Sequence, residues 1–166
     1  MDDVVVHRLG ENEYLLVINA GTREKDFEWV RNHTRQFDCT VENLSDDFTQ
    51  IAIQGPKAVN LLQKLTDTDL SAVKFYWVTR GTVCGLKNIL IARTGYTGED
   101  GFEIYVPSDE ATSARVWNEI LEAGQEFGVL PCRLGARTPL LRDATFPLYG
   151  PDITATSLAW TARISA

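Results

Sequence analysis

The sequence predicts an α+β fold: mixed, mainly antiparallel sheets with helices packed on them. Two observations lead there. β-rich runs come as neighbouring pairs split by turn residues, the signature of hairpins. Helical patterns are interspersed among those pairs, without the strict strand–helix alternation of a doubly wound sheet.

In chain order, Val4–Leu9 and Tyr14–Asn19 flank Gly10-Glu11-Asn12 and form a hairpin. Arg23–Phe37 reads as a helix with Phe27, Val30 and His33 on one face. Phe48–Gln54 is a short strand. Pro56 is placed to open a helix that turns Ala58, Leu61, Leu62 and Leu65 inward. Lys74–Val83, Asn88–Arg93 and Phe102–Val106 are strands. Ser108 is expected to cap a helix over Asp109–Phe127, with Ala114, Trp117, Ile120, Leu121 and Gly124 as its apolar stripe. Val129–Leu134 is extended, and Ala136–Thr145 is a last short helix, in which Pro139 fits only the first turn.

Composition narrows the function. With 166 residues the chain buries one core, or one and part of a second, and 44% hydrophobic content marks it as globular. Sixteen basic against 23 acidic residues give a formal charge of −7, which speaks against a nucleic-acid surface. No apolar run reaches the roughly 18 residues of a membrane span, and no secretory signal pattern is present. Cys39, Cys84 and Cys132 lie far apart, without zinc-ligand or disulfide-framework spacing, which points to a reducing compartment and no metal site. His7 and His33 also lack ligand spacing; a helical His33 reads as a packing or surface residue. Nucleotide-phosphate loop motifs are missing.

The most informative stretch is Arg93-Thr94-Gly95-Tyr96-Thr97-Gly98-Glu99-Asp100-Gly101-Phe102-Glu103, between the apolar runs Ile89–Ala92 and Ile104–Val106. It predicts a hairpin turning at Glu99–Gly101, with Asp100-Gly101 as the turn signal. Tyr96 and Glu103 then stand at strand ends, aimed rigidly at a ligand; the alternative is a bare hairpin that uses glycine for its backbone freedom.

Together with Asp2-Asp3, Asn19-Ala20, Arg23-Glu24-Lys25-Asp26, Gln54-Gly55-Pro56-Lys57-Ala58, Leu130-Pro131-Cys132-Arg133-Leu134-Gly135-Ala136-Arg137 and Pro147-Leu148-Tyr149-Gly150, this segment resembles the glycine cleavage system T protein family, the tetrahydrofolate-dependent aminomethyltransferases. The resemblance runs from Asp2 to about Trp160. It implies part of the folate-binding aminomethyltransferase fold: residues 1–43 as a partial second domain, 44–150 as most of the folate-binding domain, and 151–166 as the lead-in to a C-terminal domain. It implies transfer of a methylene from the aminomethyl-lipoyl arm of H protein to tetrahydrofolate, releasing ammonia, in the cytoplasm or, in a eukaryote, the mitochondrial matrix.

Residue by residue, the resemblance makes Asp3 the key acidic group. A fixed carboxylate there orients the folate and stabilises positive charge developing on the transferred carbon and the attacking nitrogen. The alternative is a solvated chain end. Glu103 matches the pteridine ligand, accepting two hydrogen bonds from the amino-pyrimidinone edge, or else it is a surface strand residue. Tyr96, Arg137 and Asn19 match the folate pocket, and Tyr76, within Phe75-Tyr76-Trp77, reaches it. A cation at a helix start, as Arg137 is, gains nothing from the dipole, which favours a ligand or partner carboxylate for it. Asn19 reads equally as a strand-ending turn residue.

Departures stand against these matches: Arg133 for Gly, Thr138 for Asp, Leu141 for Arg, Asp143 for Glu, an intruding Pro139, and His7 where relatives often carry Tyr. Joint loss of Asp, Arg and Glu reads as removal of an ion network. Both ends read as cut, so the chain is expected to be the middle of a larger enzyme or a truncated relative, inactive alone. Two other readings remain. One is the folate-binding portion of a dimethylglycine- or sarcosine-oxidising enzyme, although no flavin-binding segment is seen. The other is a non-catalytic folate-binding or interaction fragment.

Overall fold

A computed structural model describes residues 3–144. Asp2, the Pro147–Gly150 motif and the segment 151–166 lie outside the described residues. These divide into two compact units, one up to Asp46 and one from Asp47 onward.

In the first unit, β1 (Val5–Arg8) and β2 (Tyr14–Val17) pair antiparallel, with Val5 opposite Val17 and Arg8 opposite Tyr14. Arg8 braces the connection by donating from Nε to the Gly10 carbonyl (3.0 Å) and from NH2 to that of Glu11 (3.2 Å). His7 is buried on β1, and desolvation holds its pKa down, favouring neutral imidazole. After a 3-10 turn over Ala20–Thr22 comes α1 (Arg23–Thr34). It stops three residues short of the expected Phe37. Thr34 Oγ1 bonds back to the Val30 carbonyl (2.9 Å), and the Phe37 amide closes a tighter turn on Thr34 (2.9 Å). The expected apolar face is corrected as well. Phe27 and Val30 are half-buried, but His33 is exposed and stacks on exposed Trp29 with ring centroids 4.0 Å apart.

The second unit holds a four-stranded antiparallel sheet made of β3 (Phe48–Gln54), β4 (Val78–Val83), β5 (Leu86–Ala92) and β6 (Gly101–Pro107), in the order β3-β6-β5-β4. Alternation sorts its side chains. Ile51, Ile53, Val83, Ile89, Ile91, Phe102, Ile104 and Val106 pack against α2 (Ala58–Gln63) and α3 (Glu110–Gly124) in one core. Leu70 and Val73 seal its side. The last helix, α4, spans Leu134–Asp143.

Several expectations need correction here. β4 begins at Val78, because Lys74–Trp77 form a turn in which the Trp77 amide donates to the Lys74 carbonyl (2.9 Å). Asp100-Gly101 is not the hairpin turn: Gly101 is already in β6, opposite Gln54, and residues 93–100 make a longer loop. The tight two-residue turn lies one hairpin earlier, at Cys84-Gly85, where both φ angles are positive (49° and 74°) and Val83 pairs with Leu86. Pro56 sits in a turn ahead of α2, whose first residue is Ala58. Asp109, not Ser108, caps α3, accepting from the Thr112 amide (2.8 Å). The buried stripe of α3 is Val116, Ile120 and Gly124; Ala114 and Trp117 face outward. Pro139 lies inside α4, past the first turn, where it withholds an amide from the helix ladder. Thr138 Oγ1 meanwhile donates to the Leu134 carbonyl (3.1 Å).

The corrected stripe is testable. Ile120 is 4% exposed and Trp117 39%. Ile120→Ala is expected to cost about 2–5 kcal/mol in urea unfolding, and Trp117→Ala clearly less. The reverse order would restore the register read from the sequence.

Candidate functional site

The face of the sheet turned away from α2 and α3 is chemically mixed. It carries Gln50, Ala52 and Gln54 of β3, Glu103 and Tyr105 of β6, and Leu90 and Ala92 of β5. Register sets Ala52, Glu103 and Ala92 in one row, and Gln50, Tyr105 and Leu90 in the next. Two alanines thus flank one carboxylate in its row. Glu103 is partly buried, and desolvation raises its pKa, partly opposed by hydrogen bonds from Thr94 and Gln50. Thr94, 2% exposed, donates from Oγ1 to Glu103 Oε2 at 2.5 Å. Gln50 Nε2 lies 3.4 Å from the Tyr105 hydroxyl. Burial first, then the Glu103 charge, pushes the Tyr105 phenol pKa up, so that hydroxyl stays protonated.

At the end of this face the loop 93–100 is pinned by Arg93. Its Nε and NH2 grip Asp100 bidentately (2.9 and 2.6 Å), and NH1 donates to the Val73 carbonyl (3.0 Å). The Asp100 carboxyl is held below its usual range by that hydrogen-bonded guanidinium. Within the loop, the Tyr96 ring receives the Arg137 guanidinium 5.2 Å from its centroid. Arg137 stands in the first turn of α4, and its buried Nε has no hydrogen-bond partner among the described residues. Tyr76 adopts a left-handed backbone (φ 65°) and donates its amide to the Arg93 carbonyl (2.9 Å). That sharp bend leaves Phe75, Tyr76 and Trp77 all more than half exposed at the sheet end, with Phe75 and Tyr76 edge to face.

Asp3 and Asn19 belong to the first unit. Continuing the β1–β2 register two residues past Val5 and Val17 sets them opposite each other. There Asn19 Nδ2 donates to the backbone carbonyl of Asp3 (3.0 Å), tethering a residue whose side chain is exposed. The structure thus brings together Asp3 with Asn19 in one unit. In the other it joins Tyr96 with Arg137 and sets Glu103 on the neighbouring strand.

A family model described as the GCVT N-terminal domain matches residues 1–166. This chain belongs to the GCVT N-terminal domain family. Curated relatives of this GCVT domain include two named aminomethyltransferase. That from Koribacter versatilis is 67% identical over 164 residues, covering 99% of this chain and 43% of the relative. That from Acidobacterium capsulatum is 64% identical over 154 residues, covering 93% and 41%. The chain therefore spans less than half the length of these relatives. Among solved structures, the glycine cleavage system aminomethyltransferase T from Bartonella henselae superposes with a TM-score of 0.81 at 31% identity, over 94% of this chain and 40% of that one. The α+β architecture is the fold of that neighbour. A heterotetrameric sarcosine oxidase from Corynebacterium sp. U-96 matches in fold alone, with a TM-score of 0.61 at 20% identity over 80% of this chain and 65% of that one.

Sequence reasoning on the GCVT domain missed Thr94, Gln50, Gln54 and Tyr105. The signal was present. In Phe48–Gln54 the residues alternating with Ile51 and Ile53 include two glutamines, and Tyr105 lies two residues from Glu103 on the same face.

Glu103 yields a stability prediction. Its folded pKa is raised, so between the unfolded value and the folded one the native state holds more protons, and stability falls as pH rises through that window. Glu103→Gln stays neutral throughout. In urea unfolding it should match the wild type below about pH 4 and exceed it at neutral pH. A variant less stable at neutral pH would overturn this account of the carboxylate.

Proposed function

We propose that this chain is part of a glycine cleavage aminomethyltransferase, which moves the methylene of an aminomethyl-lipoyl H protein to tetrahydrofolate and releases ammonia. Family membership and the two relatives named aminomethyltransferase support the reaction class. The observation that carries the folate site is Glu103: a desolvated carboxylate with no countercharge among the described residues, set in a small-residue row.

The chemistry of the donor set fits a reduced folate. A carboxylate offers about four lone-pair positions; Thr94 occupies one and Gln50 bears on another, so capacity is left for two adjacent N–H groups of an amino-pyrimidinone. Bound tetrahydrofolate supplies the nucleophilic nitrogen that takes up the methylene. On this reading Glu103 orients the pteridine. Tyr96 and Tyr76 offer ring faces, Arg137 answers negative charge, and Asn19 holds the strand end that bears Asp3. Asp3 is the carboxylate whose negative charge suits the carbon and nitrogen that become positive during transfer. Residues 1–43 then correspond to part of the family's second domain and 44–150 to most of the folate-binding domain. H protein as the partner and a cytoplasmic setting are part of the same proposal.

The test is titration of 5-formyltetrahydrofolate into the full-length protein that contains this chain. Wild type should bind, and Glu103→Gln should bind about 1–3 kcal/mol more weakly, because an N–H then faces an N–H. Ligand N–H groups favour the ionised carboxylate, so wild-type affinity should drop as pH falls through the raised Glu103 pKa, and the variant should lose that dependence. Equal affinities, or an unchanged pH profile, would remove Glu103 from the site.

A second test addresses Asp3. With aminomethyl-loaded H protein, Asp3→Asn should lower kcat by about 100-fold or more while changing folate affinity far less. Undiminished turnover would strip Asp3 of its catalytic role.

A further inference from the structure

The Gln54-Gly55-Pro56-Lys57-Ala58 motif is only partly used by the fold: Ala58 packs in the core and Gly55 turns the chain, but neither task needs a glutamine. We infer that Gln54 is the positioning residue of the ligand-facing carboxylate, its carboxamide fixing the backbone of Thr94 and Thr94 in turn fixing Glu103. This inference rests on the folate reading of that face.

Gln54 is the last residue of β3, paired in register with Gly101 and on the same face as Glu103. Its Nε2 donates to the carbonyls of Thr94 (3.1 Å) and Phe102 (3.2 Å), and its Oε1 accepts from Thr97 Oγ1 (3.0 Å). Two carbonyls on one side and a hydroxyl on the other leave a single chemically consistent orientation of the amide. One side chain therefore joins the middle of the loop to the strand that bears Glu103. With its carbonyl held and its side chain buried, Thr94 presents Oγ1 to Glu103 Oε2.

Two glycines of the loop segment make room for this amide. A Cβ on Gly95 would lie 1.8 Å from Gln54 Oε1; on Gly101 it would lie 2.5 Å from the Ile53 carbonyl and 2.7 Å from Gln54 Cδ. Neither glycine needs a positive φ; a Cβ on Gly95 would force the Gln54 amide out of its place, and one on Gly101 would meet the Ile53 backbone as well. Closure of the loop has its own fastening: Arg93 grips Asp100, and the Gly55 amide donates to the Asp100 carbonyl (2.8 Å). Gln54 thus sets the interior of the loop rather than its ends. That separates a positioning role from a purely structural one.

The experiment uses the full-length protein, with 5-formyltetrahydrofolate as the calorimetric probe and tetrahydrofolate turnover as the second readout. Gln54→Glu keeps the shape and the acceptor for Thr97 but turns an oxygen toward two carbonyls; Gln54→Met keeps the length without donors. Both should weaken folate binding about tenfold or more, raising KM for tetrahydrofolate with kcat at saturation nearly unchanged. Thr97→Val, a milder change outside the core, should shift affinity the same way by less. Gly95→Ala should weaken binding, and adding it to Gln54→Ala should bring little further loss, because the clash partner has gone. Gln54 variants binding within twofold of wild type, or full additivity with Gly95→Ala, would overturn the inference.

Glu103→Gln in the same series tests the folate reading separately. Should that variant bind folate normally, the site reading fails, and the ligand-free protein then decides about Gln54. Gln54→Met should change amide exchange across residues 94–97 and shift the carbon-13 titration of the Glu103 carboxyl. If both stay as in wild type, Gln54 does not position Glu103.

Discussion

The end of the second unit that carries the loop 93–100 depends on the guanidinium of Arg93. Its fork closes the eight-residue loop by holding Asp100, and its third nitrogen reaches the Val73 carbonyl. Its backbone continues the job: the carbonyl accepts from Tyr76 and the amide donates to Trp77. The segment Val73–Trp77 and the far end of the loop thus converge on one residue just past β5. The pair is partly exposed, 22% for Arg93 and 40% for Asp100, so its net contribution to stability is modest. What it supplies is geometry. A planar bidentate contact leaves little freedom for the loop ends, and the Phe102 ring lies 5.5 Å from the same guanidinium, which ties the fork to the core.

Around that fixed frame the two faces of the sheet obey opposite rules. One is a packed apolar core, where burial is its own reward. The other places a carboxylate between alanines, where burial opposes ionisation. A neutral residue would suit the fold better at position 103. That cost, kept beside hydrogen-bonded neighbours such as Thr94 and Tyr105, is what singles out position 103 as a functional-site candidate. The first unit offers a simpler case. Hairpin register alone brings Asn19 to Asp3, and one backbone-directed hydrogen bond steadies the lead-in to β1.

How much of this was legible follows from the range of each interaction. β3 was read to its exact ends because its alternation and flanking turn residues are local. The Cys84-Gly85 turn escaped because a cysteine rarely takes a left-handed backbone; only the pairing of Val83 with Leu86 demands it there. Asp100-Gly101 looked like a turn because Asp and Gly usually make one. Here the aspartate is held by Arg93, and the glycine stays in the strand to clear Gln54 and the Ile53 carbonyl. On α3 the sequence pattern turns Trp117 inward, yet the smaller Val116 is the one buried in the core. Glu103 and Tyr96 were reachable through the resemblance. The alternation of β3 marks the face that Gln54 shares with Gln50, but its bonds to Thr94, Thr97 and Phe102 exist only once β3, the loop and β6 are side by side.

Helix α4 brings the same tension between fold and site to a single residue. Arg137 lies in its first turn, where the helix dipole repels a cation, and Pro139 two residues on removes an amide from the ladder. Neither feature is what a helix needs. The Tyr96 ring offsets part of the first cost by offering its negative face to the guanidinium. The Thr138 hydroxyl engages the Leu134 carbonyl, keeping a polar link through the turn that Pro139 weakens. A helix compromised at both points still delivers Arg137 to the loop that carries Tyr96. The contact with the Arg93-clamped loop, through Tyr96, therefore adds to what the helix's own weak propensity supplies.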